Sequence, residues 1–238
     1  MGVRAATSFL TPLGGARVPG PSDLAWFPVV GLGIGAALGA LWWGIGKEWP
    51  PTVDAAVVVA ADLALTGLLH IDGLIDSADG LLPHLDRARR LAVMAEPQVG
   101  AFGVAAGGMV LVLRVAALGA IHPDVLVLGG LWCLSRTLMA AVVSTQPYAR
   151  AGGLAEAFSG RAPRSRGLAL VVGAAGAVAL LMVWRQLAGA IGAVAGIVAA
   201  VGVLVLARRR LGGYTGDVLG ASGMMLETVG LVVAAARW

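Results

Sequence analysis

The chain has 238 residues, 58% of them hydrophobic and only 13% charged, with mean hydropathy +0.88. Soluble domains carry about 25% charged residues. This composition therefore leaves too little polar surface for a soluble globule, and it predicts an all-α, polytopic membrane bundle forming one domain over 1–238. The net charge of +4 is not read as a nucleic-acid signature, because the basic residues are distributed by membrane topology.

In chain order, residues 1–23 carry Arg4 and Arg17 and are broken by Pro12, Pro19 and Pro21. They predict a largely non-helical or re-entrant lead-in, without the continuous apolar core of a secretory signal. Seven apolar segments follow, each near the roughly 20 residues that a membrane crossing needs. They are 24–46, 53–71 with Asp62, 99–121 with Arg114, 125–145 with Arg136, 167–184, 187–207, and 218–236 with Glu227. The 36 glycines suit close helix–helix approach in lipid. Cys133, the single cysteine, lies in an apolar run and is read as a small packing hydrophobe.

Seven crossings place alternate connections on alternate sides. One side receives twelve of the 17 Lys and Arg residues, among them Arg87, Arg89, Arg90, Arg150, Arg208, Arg209 and Arg210. The other receives three, Lys47, Arg185 and Arg237. By the positive-inside rule the richer side is cytoplasmic. The N-terminus and the connections 72–98, 146–166 and 208–217 then share one face, the expected cytoplasmic and more elaborated face of the protein.

The first of these connections opens on residues 70–80, HIDGLIDSADG. Asp72, Asp76 and Asp79 stand at i, i+4 and i+7. A helix turning about 100° per residue brings them within about 60° of one another. Like charges on one face repel and resist desolvation, and a cation among them relieves both. Hard oxygen ligands, no cysteine and one adjacent histidine, His70, point to Mg²⁺ or Mn²⁺ rather than zinc. The competing reading is a solvated loop in which these Asp are ordinary turn residues.

Other candidates follow in order. Arg87, Arg89 and Arg90 are read either as phosphate binders or as a topogenic cluster. Glu96, in EPQVGAFG at 96–103, is either a further metal ligand or a carboxylate favouring the start of the third crossing. Arg114 and Asp62 are read as structural pairing. Arg136 lies about two and a half turns before Pro147, below the basic surface, and is read as a substrate contact. The connection from Gln146 through Tyr148 and Arg150 to Gly160 is either a lid or a plain connector. Residues 208–220, RRRLGGYTGDVLG, leave glycine N–H groups open before a helix N-terminus, a natural anion site. Gly213, Thr215 and Asp217 are assigned there to substrate, with Asp217 alternatively a metal ligand or an N-cap. Glu227, ionisable inside a crossing, is a functional candidate and a possible ligand.

Together these motifs resemble the cobalamin synthase family, the adenosylcobinamide-GDP ribazoletransferases. The resemblance rests on GLLHIDGLIDSADG at 67–80, EPQVGAFG at 96–103, the early Phe9-Leu10-Thr11 and Trp26-Phe27-Pro28, Pro147-Tyr148-Ala149-Arg150, and GGYTGD at 212–217. It implies that α-ribazole or its 5′-phosphate joins adenosylcobinamide-GDP with release of GMP. It also implies Mg²⁺ at the Asp motif, with Asp76, His70 and Arg136 as catalytic residues and Arg136 or Arg150 holding phosphate. Two departures stand out: Met224 replaces the Glu usual three residues before Glu227, and Pro12 directly follows Thr11. A CDP-alcohol phosphotransferase also clusters Asp and Gly at a membrane surface, but Leu81-Leu82 after Asp79-Gly80 breaks its longer pattern. A transporter reading would line an ion path with Asp62, Arg114, Arg136 and Glu227, but the chain has no internal repeat of the kind many transporters carry. Homo-oligomerisation is left open.

Overall fold

The structure is a computed structural model that describes residues 2–13, 15, 20–46, 48–150 and 164–237. The glycine-rich stretch 152–160, together with Arg17, Lys47 and Arg161, lies outside them. The described residues form ten α-helices: α1 (Val3–Leu10), α2 (Phe27–Ile45), α3 (Pro51–Leu65), α4 (Leu69–Leu81), α5 (Arg87–Val93), α6 (Ala101–Ala120), α7 (Val125–Thr145), α8 (Arg164–Trp184), α9 (Gln186–Leu211) and α10 (Gly216–Ala234). Six of the ten are long and apolar enough to cross a membrane, or seven crossings result if α3 and α4 together make one broken span. The protein is an integral membrane helical bundle.

Two expectations need correction. The lead-in is helical over Val3–Leu10, because no Gly or Pro interrupts that stretch and Ala5, Ala6 and Leu10 bury one stripe. The Phe9 and Phe27 rings stack at 5.7 Å, which ties α1 to the start of α2. The second predicted crossing, 53–71, does not run through. Gly67 and Leu68 both take left-handed backbone, at φ 60° and 62°, and α4 leaves at 89° to α3. A glycine adopts that conformation freely, whereas for leucine it costs about 1–2 kcal/mol. The break delivers the Asp motif as a helix and not as a loop.

Helices α7 and α10 form the buried centre, with α2, α4, α6 and α9 around them. Glycines set the closest approach. A Cβ at Gly31, Gly35 or Gly39 of α2 would lie 2.5, 2.3 and 2.6 Å from the backbone of α7. Only hydrogens at every fourth position allow that seam, and lipid-embedded helices gain dispersion contact from it. Likewise a Cβ at Gly73 of α4 would meet the Asp217 carbonyl oxygen at 2.8 Å. Helix α4 runs antiparallel to α10, with His70 against Gly220 and Gly73 against Asp217. Asp76 and Asp79 therefore sit past the first turn of α10, beyond the end of that spanning helix.

Candidate active site

At this end of the bundle the connections are fastened to one another. Residues 147–149 and 213–214 pair as a short parallel bridge, in which the Ala149 N–H donates to the Tyr214 carbonyl at 2.8 Å and the Tyr214 N–H to the Pro147 carbonyl at 3.0 Å. Arg87 donates to the carbonyls of Leu211 (2.8 Å) and Ala149 (3.0 Å). Arg90 donates to the carbonyls of Gly80 and Leu81, and Arg210 to those of Leu81, Leu82 and Pro83. These guanidinium groups satisfy carbonyls at the C-terminal ends of α9 and α4, where the helix dipole favours cations. Gly213 has no room for a side chain, since its Cβ would stand 2.2 Å from the Pro147 carbonyl oxygen. Its part in the structure is this close backbone crossing.

Within this frame Asp72, Asp76 and Asp217 share an acidic surface. Asp72 is exposed, while Asp76 and Asp217 are half-buried. The Asp76 carboxyl is pushed up to about 6, first by burial and then by the charges of Asp72 and Asp217, against the opposing charge of Arg150. Thr215 is the N-cap of α10: its hydroxyl oxygen accepts from the Val218 N–H at 3.2 Å, and its O–H donates to Asp217 Oδ2 at 3.2 Å. Arg150 Nη1 lies 3.1 Å from the same Asp217 oxygen. The nearby Tyr214 phenol is pushed up to about 12 by burial and by Tyr148, so it stays protonated near neutral pH.

The structure distributes the other predicted site residues elsewhere. Asp79 Oδ2 accepts from the Gly100 N–H at 2.7 Å and Oδ1 from the Gly103 N–H at 2.9 Å, so this carboxylate caps the N-terminus of α6 from another helix. Sharing a helix face is not sharing an ion: seven residues of helix separate Asp72 from Asp79 by about 10 Å along the axis. Glu96 pairs with Arg89 at 2.7 Å on an exposed turn. Among the described residues no three His, Cys, Asp or Glu side chains lie converged on one metal position. Asp72, Asp76 and Asp217 offer hard carboxylate oxygens of the kind that Mg²⁺ takes, but they are not gathered around one point.

Arg136, Glu227 and His70 belong to a second constellation, inside the bundle. Arg114 bonds Asp62 at 2.7 Å, Glu227 at 2.5 Å and Thr228 at 2.8 Å. Arg136 bonds the other Glu227 oxygen at 2.5 Å and Ser135 at 2.7 Å. The Trp132 indole N–H donates to Asp62 at 2.9 Å, and its ring lies 5.3 Å from the Arg114 guanidinium. Two arginines and two carboxylates cancel, and they join α3, α6, α7 and α10. Arg136 and Glu227 are each 1% exposed. Arg136 is therefore engaged with Glu227, and Glu227 with two cations. The four charges of the imagined transport path pair with one another. His70, in the first turn of α4, is also buried, and its Nδ1 has no hydrogen-bond partner among the described residues. Met224 fills a small apolar cluster with Ile71, Leu74, Val110 and Ala221.

Sequence reasoning missed the capping roles of Asp79, Arg90 and Arg210. One signal was present: Asp or Arg near a helix end is a capping candidate. The helix each one caps is not its own, and only the packing shows that.

Known proteins resemble this chain along most of its length. The family model described as Cobalamin-5-phosphate synthase matches residues 2–235. The chain is 36% identical over 247 residues to the adenosylcobinamide-GDP ribazoletransferase of Ectopseudomonas mendocina (strain ymp), covering 98% of this chain and 97% of that protein. It is 37% identical to the protein of that name from Stutzerimonas stutzeri (strain A1501), covering 95% and 94%. For the one from Chlorobium phaeobacteroides (strain BS1) the identity is 37%, covering 87% and 85%. No solved structure matches the chain. A family match along nearly the whole length, with relatives of 36–37% identity covering most of both chains, places this chain in the cobalamin-5-phosphate synthase family.

Proposed function

We propose that the chain is an adenosylcobinamide-GDP ribazoletransferase: it joins α-ribazole, or its 5′-phosphate, to adenosylcobinamide-GDP and releases GMP. The relatives' shared activity supports the reaction, and the acidic surface of Asp72, Asp76 and Asp217 with Arg150 inside it is the observation that carries the location. A ribose hydroxyl oxygen attacks the phosphorus attached to cobinamide. The new P–O bond forms as the bond to the bridging oxygen breaks, and GMP leaves with that oxygen and its electron pair. The hydroxyl proton passes to a carboxylate of the surface or to water. Negative charge gathers on the phosphate oxygens, so the residues needed are those that hold and neutralise a diphosphate.

Arg150 is placed to bind phosphate oxygens, and its planar guanidinium suits two of them at once. Mg²⁺, or Mn²⁺ in its place, would be held by one or two of the carboxylates Asp72, Asp76 and Asp217 together with the substrate's phosphates. When bound, the ion supplies charge neutralisation at the diphosphate. The remaining residues orient this surface. Thr215 fixes the Asp217 carboxylate, Asp79 sets α6 against α4, and the arginine contacts at 80–83 hold the end of α4. The cation-rich connections support a cytoplasmic orientation of this face at a bacterial inner membrane, where a bulky amphiphilic corrinoid and a soluble nucleoside would both have access.

GMP release by purified protein in lipid nanodiscs, with Mg²⁺ titrated, tests the reading. Asp72→Asn is expected to lower turnover by a factor on the order of 100, as loss of one electrostatic stabiliser does, while the variant folds normally. Turnover at the wild-type rate and wild-type Mg²⁺ dependence in both Asp72→Asn and Asp217→Asn would remove this surface from the reaction.

A further inference from the structure

The inference concerns Arg87, the first residue of α5, and rests on the transferase reading above. Its Nε donates to the Leu211 carbonyl at 2.8 Å and its Nη2 to the Ala149 carbonyl at 3.0 Å. Those acceptors lie 124 and 62 residues away along the chain. Leu211 ends α9, where the last carbonyls have no partner within the helix. A left-handed turn at Gly212, φ 79°, leads from it towards α10 and Asp217. Ala149 directly precedes Arg150 and donates its own N–H to the Tyr214 carbonyl. One guanidinium thus ties the segment carrying Arg150 to the segment carrying Asp217, and those two side chains meet at 3.1 Å. The base of Arg87 is itself fixed. Asp86 caps α5 by accepting from the Arg89 N–H at 2.8 Å, and Arg90 donates to the carbonyls of Gly80 and Leu81 at 2.8 and 2.9 Å. The end of α4, the Arg150 segment and the Asp217 segment are therefore joined through one seven-residue helix.

We propose that Arg87 is a positioning residue of the transferase: it sets Arg150 against Asp217 from behind and does not itself touch the substrate. A planar guanidinium presents Nε–H and Nη2–H in a fixed fork and holds two acceptors at once, whereas an ammonium is a point charge. Arg150 has one close side-chain contact among the described residues, to Asp217, and a marginal one at 3.5 Å to the Leu91 carbonyl. The place of its guanidinium therefore depends on the backbone beneath it, which Arg87 fastens. Without Arg87 the carbonyls of Ala149 and Leu211 turn to water, and the two segments shift relative to each other. A misplacement of about 1 Å far from the reacting atoms is enough to cost roughly 100-fold in rate. Arg89, two residues on, makes the contrast. Its side chain reaches Glu96 at 2.7 Å on an exposed turn of the same connection.

The test combines GMP release by purified protein in nanodiscs, with adenosylcobinamide-GDP varied, and backbone hydrogen exchange of the same samples. Arg87→Gln is expected to lower kcat/KM roughly 10- to 100-fold and to speed exchange at the Ala149 and Tyr214 N–H groups. Arg89→Gln removes an equal charge from the same helix and is expected to stay within about twofold of wild type in both measurements. Arg87→Gln combined with Arg150→Gln is expected to be within about twofold of the worse single variant, because groups that act as a unit are not additive. A merely structural loss would multiply instead. Arg87→Lys keeps the charge but reaches one carbonyl at a time, so its kcat/KM is expected between wild type and Arg87→Gln; it carries the test should the glutamine fail to fold. Wild-type kcat/KM in Arg87→Gln or Arg87→Lys, or single losses that multiply in the double variant, overturns the proposal. A fall in kcat/KM with unchanged exchange makes Arg87 a substrate contact and overturns it as well. If wild type releases GMP and Arg87→Gln does so equally well, the transferase reading stands and the positioning role falls. If wild type releases none, the transferase reading falls and the positioning role falls with it.

Discussion

Two groups of charges, built from the same residue types, behave in opposite ways. Inside the bundle, Asp62, Glu227, Arg114 and Arg136 balance to zero, and the paired groups lie at 2.5–2.7 Å with almost no exposure. At the mouth, among the described residues, Asp72, Asp76 and Asp217 have one guanidinium near them, Arg150, which lies 3.1 Å from Asp217 and is partly open to water. The inner set is closed: every carboxylate has its cation, and the pairs tie four helices in register. The outer set is unbalanced, and an unbalanced set has something left to bind. A charge in a membrane protein is thus assigned by the completeness of its partnerships more than by its depth.

The largest expected effect breaks the inner set. Glu227→Gln leaves two buried guanidinium groups with one carboxylate between them. Removing one partner of a buried pair costs about 3–5 kcal/mol, so the variant is expected to lose most of its folded yield and to melt far below wild type in detergent. A Glu227→Gln protein with wild-type melting and abolished GMP release would move Glu227 into the outer group and erase the contrast.

A smaller effect is expected at Asp79, which shares its motif with the outer set but serves the fold. Asp79→Ala uncaps α6 and leaves the N–H groups of Gly100 and Gly103 without an acceptor. The expected loss is about 1–2 kcal/mol of stability, read by thermal unfolding, with the Mn²⁺ affinity of the folded fraction within about twofold of wild type. A larger drop in affinity than in stability would return Asp79 to the acidic surface.

The smallest effect sharpens the outer set through pH. The folded state holds the Asp76 proton up to about 6, because of burial and the charges of Asp72 and Asp217, with Arg150 opposing and Asp79 adding slightly. The unfolded chain releases that proton in the ordinary carboxylate range near 4. Between these values the folded state binds more protons, so this group's contribution to stability is full below about 4 and is lost as pH rises through about 6. In chelator-containing buffer, the melting temperature of wild type should therefore fall between pH 4.5 and 7 relative to Asp76→Asn. The difference should stay under about 4 °C, since the side chain is only half-buried. Parallel curves for the two proteins would show that Asp76 is not crowded by its neighbours.

Much of the architecture was legible before any coordinates. The predicted crossing 125–145 coincides with α7, and the helical spacing of Asp72, Asp76 and Asp79 is realised in α4. Local hydropathy suffices for such segments, because lipid demands about 20 apolar residues whatever lies beside them. The site was only half legible. The three motifs that meet there, around Asp72, Arg150 and Asp217, were each singled out, but their roles were not separable. Arg136 invited a substrate role because a lone guanidinium in a crossing needs a partner. That partner, Glu227, is 91 residues away.

By itself the sequence determined the membrane class, the helical segments, the basic end and the identity of the residues able to carry charge. These follow from composition and short-range periodicity, which act along the chain. Tertiary structure alone decided which charges cancel. It placed Glu227 between Arg114 and Arg136, turned Asp79 toward Gly100 and Gly103, and broke the second crossing at Gly67-Leu68 to bring α4 against α10. The physical reason is that an ion pair depends on distance in space, and the helix contacts that set those distances are made between residues far apart in the chain.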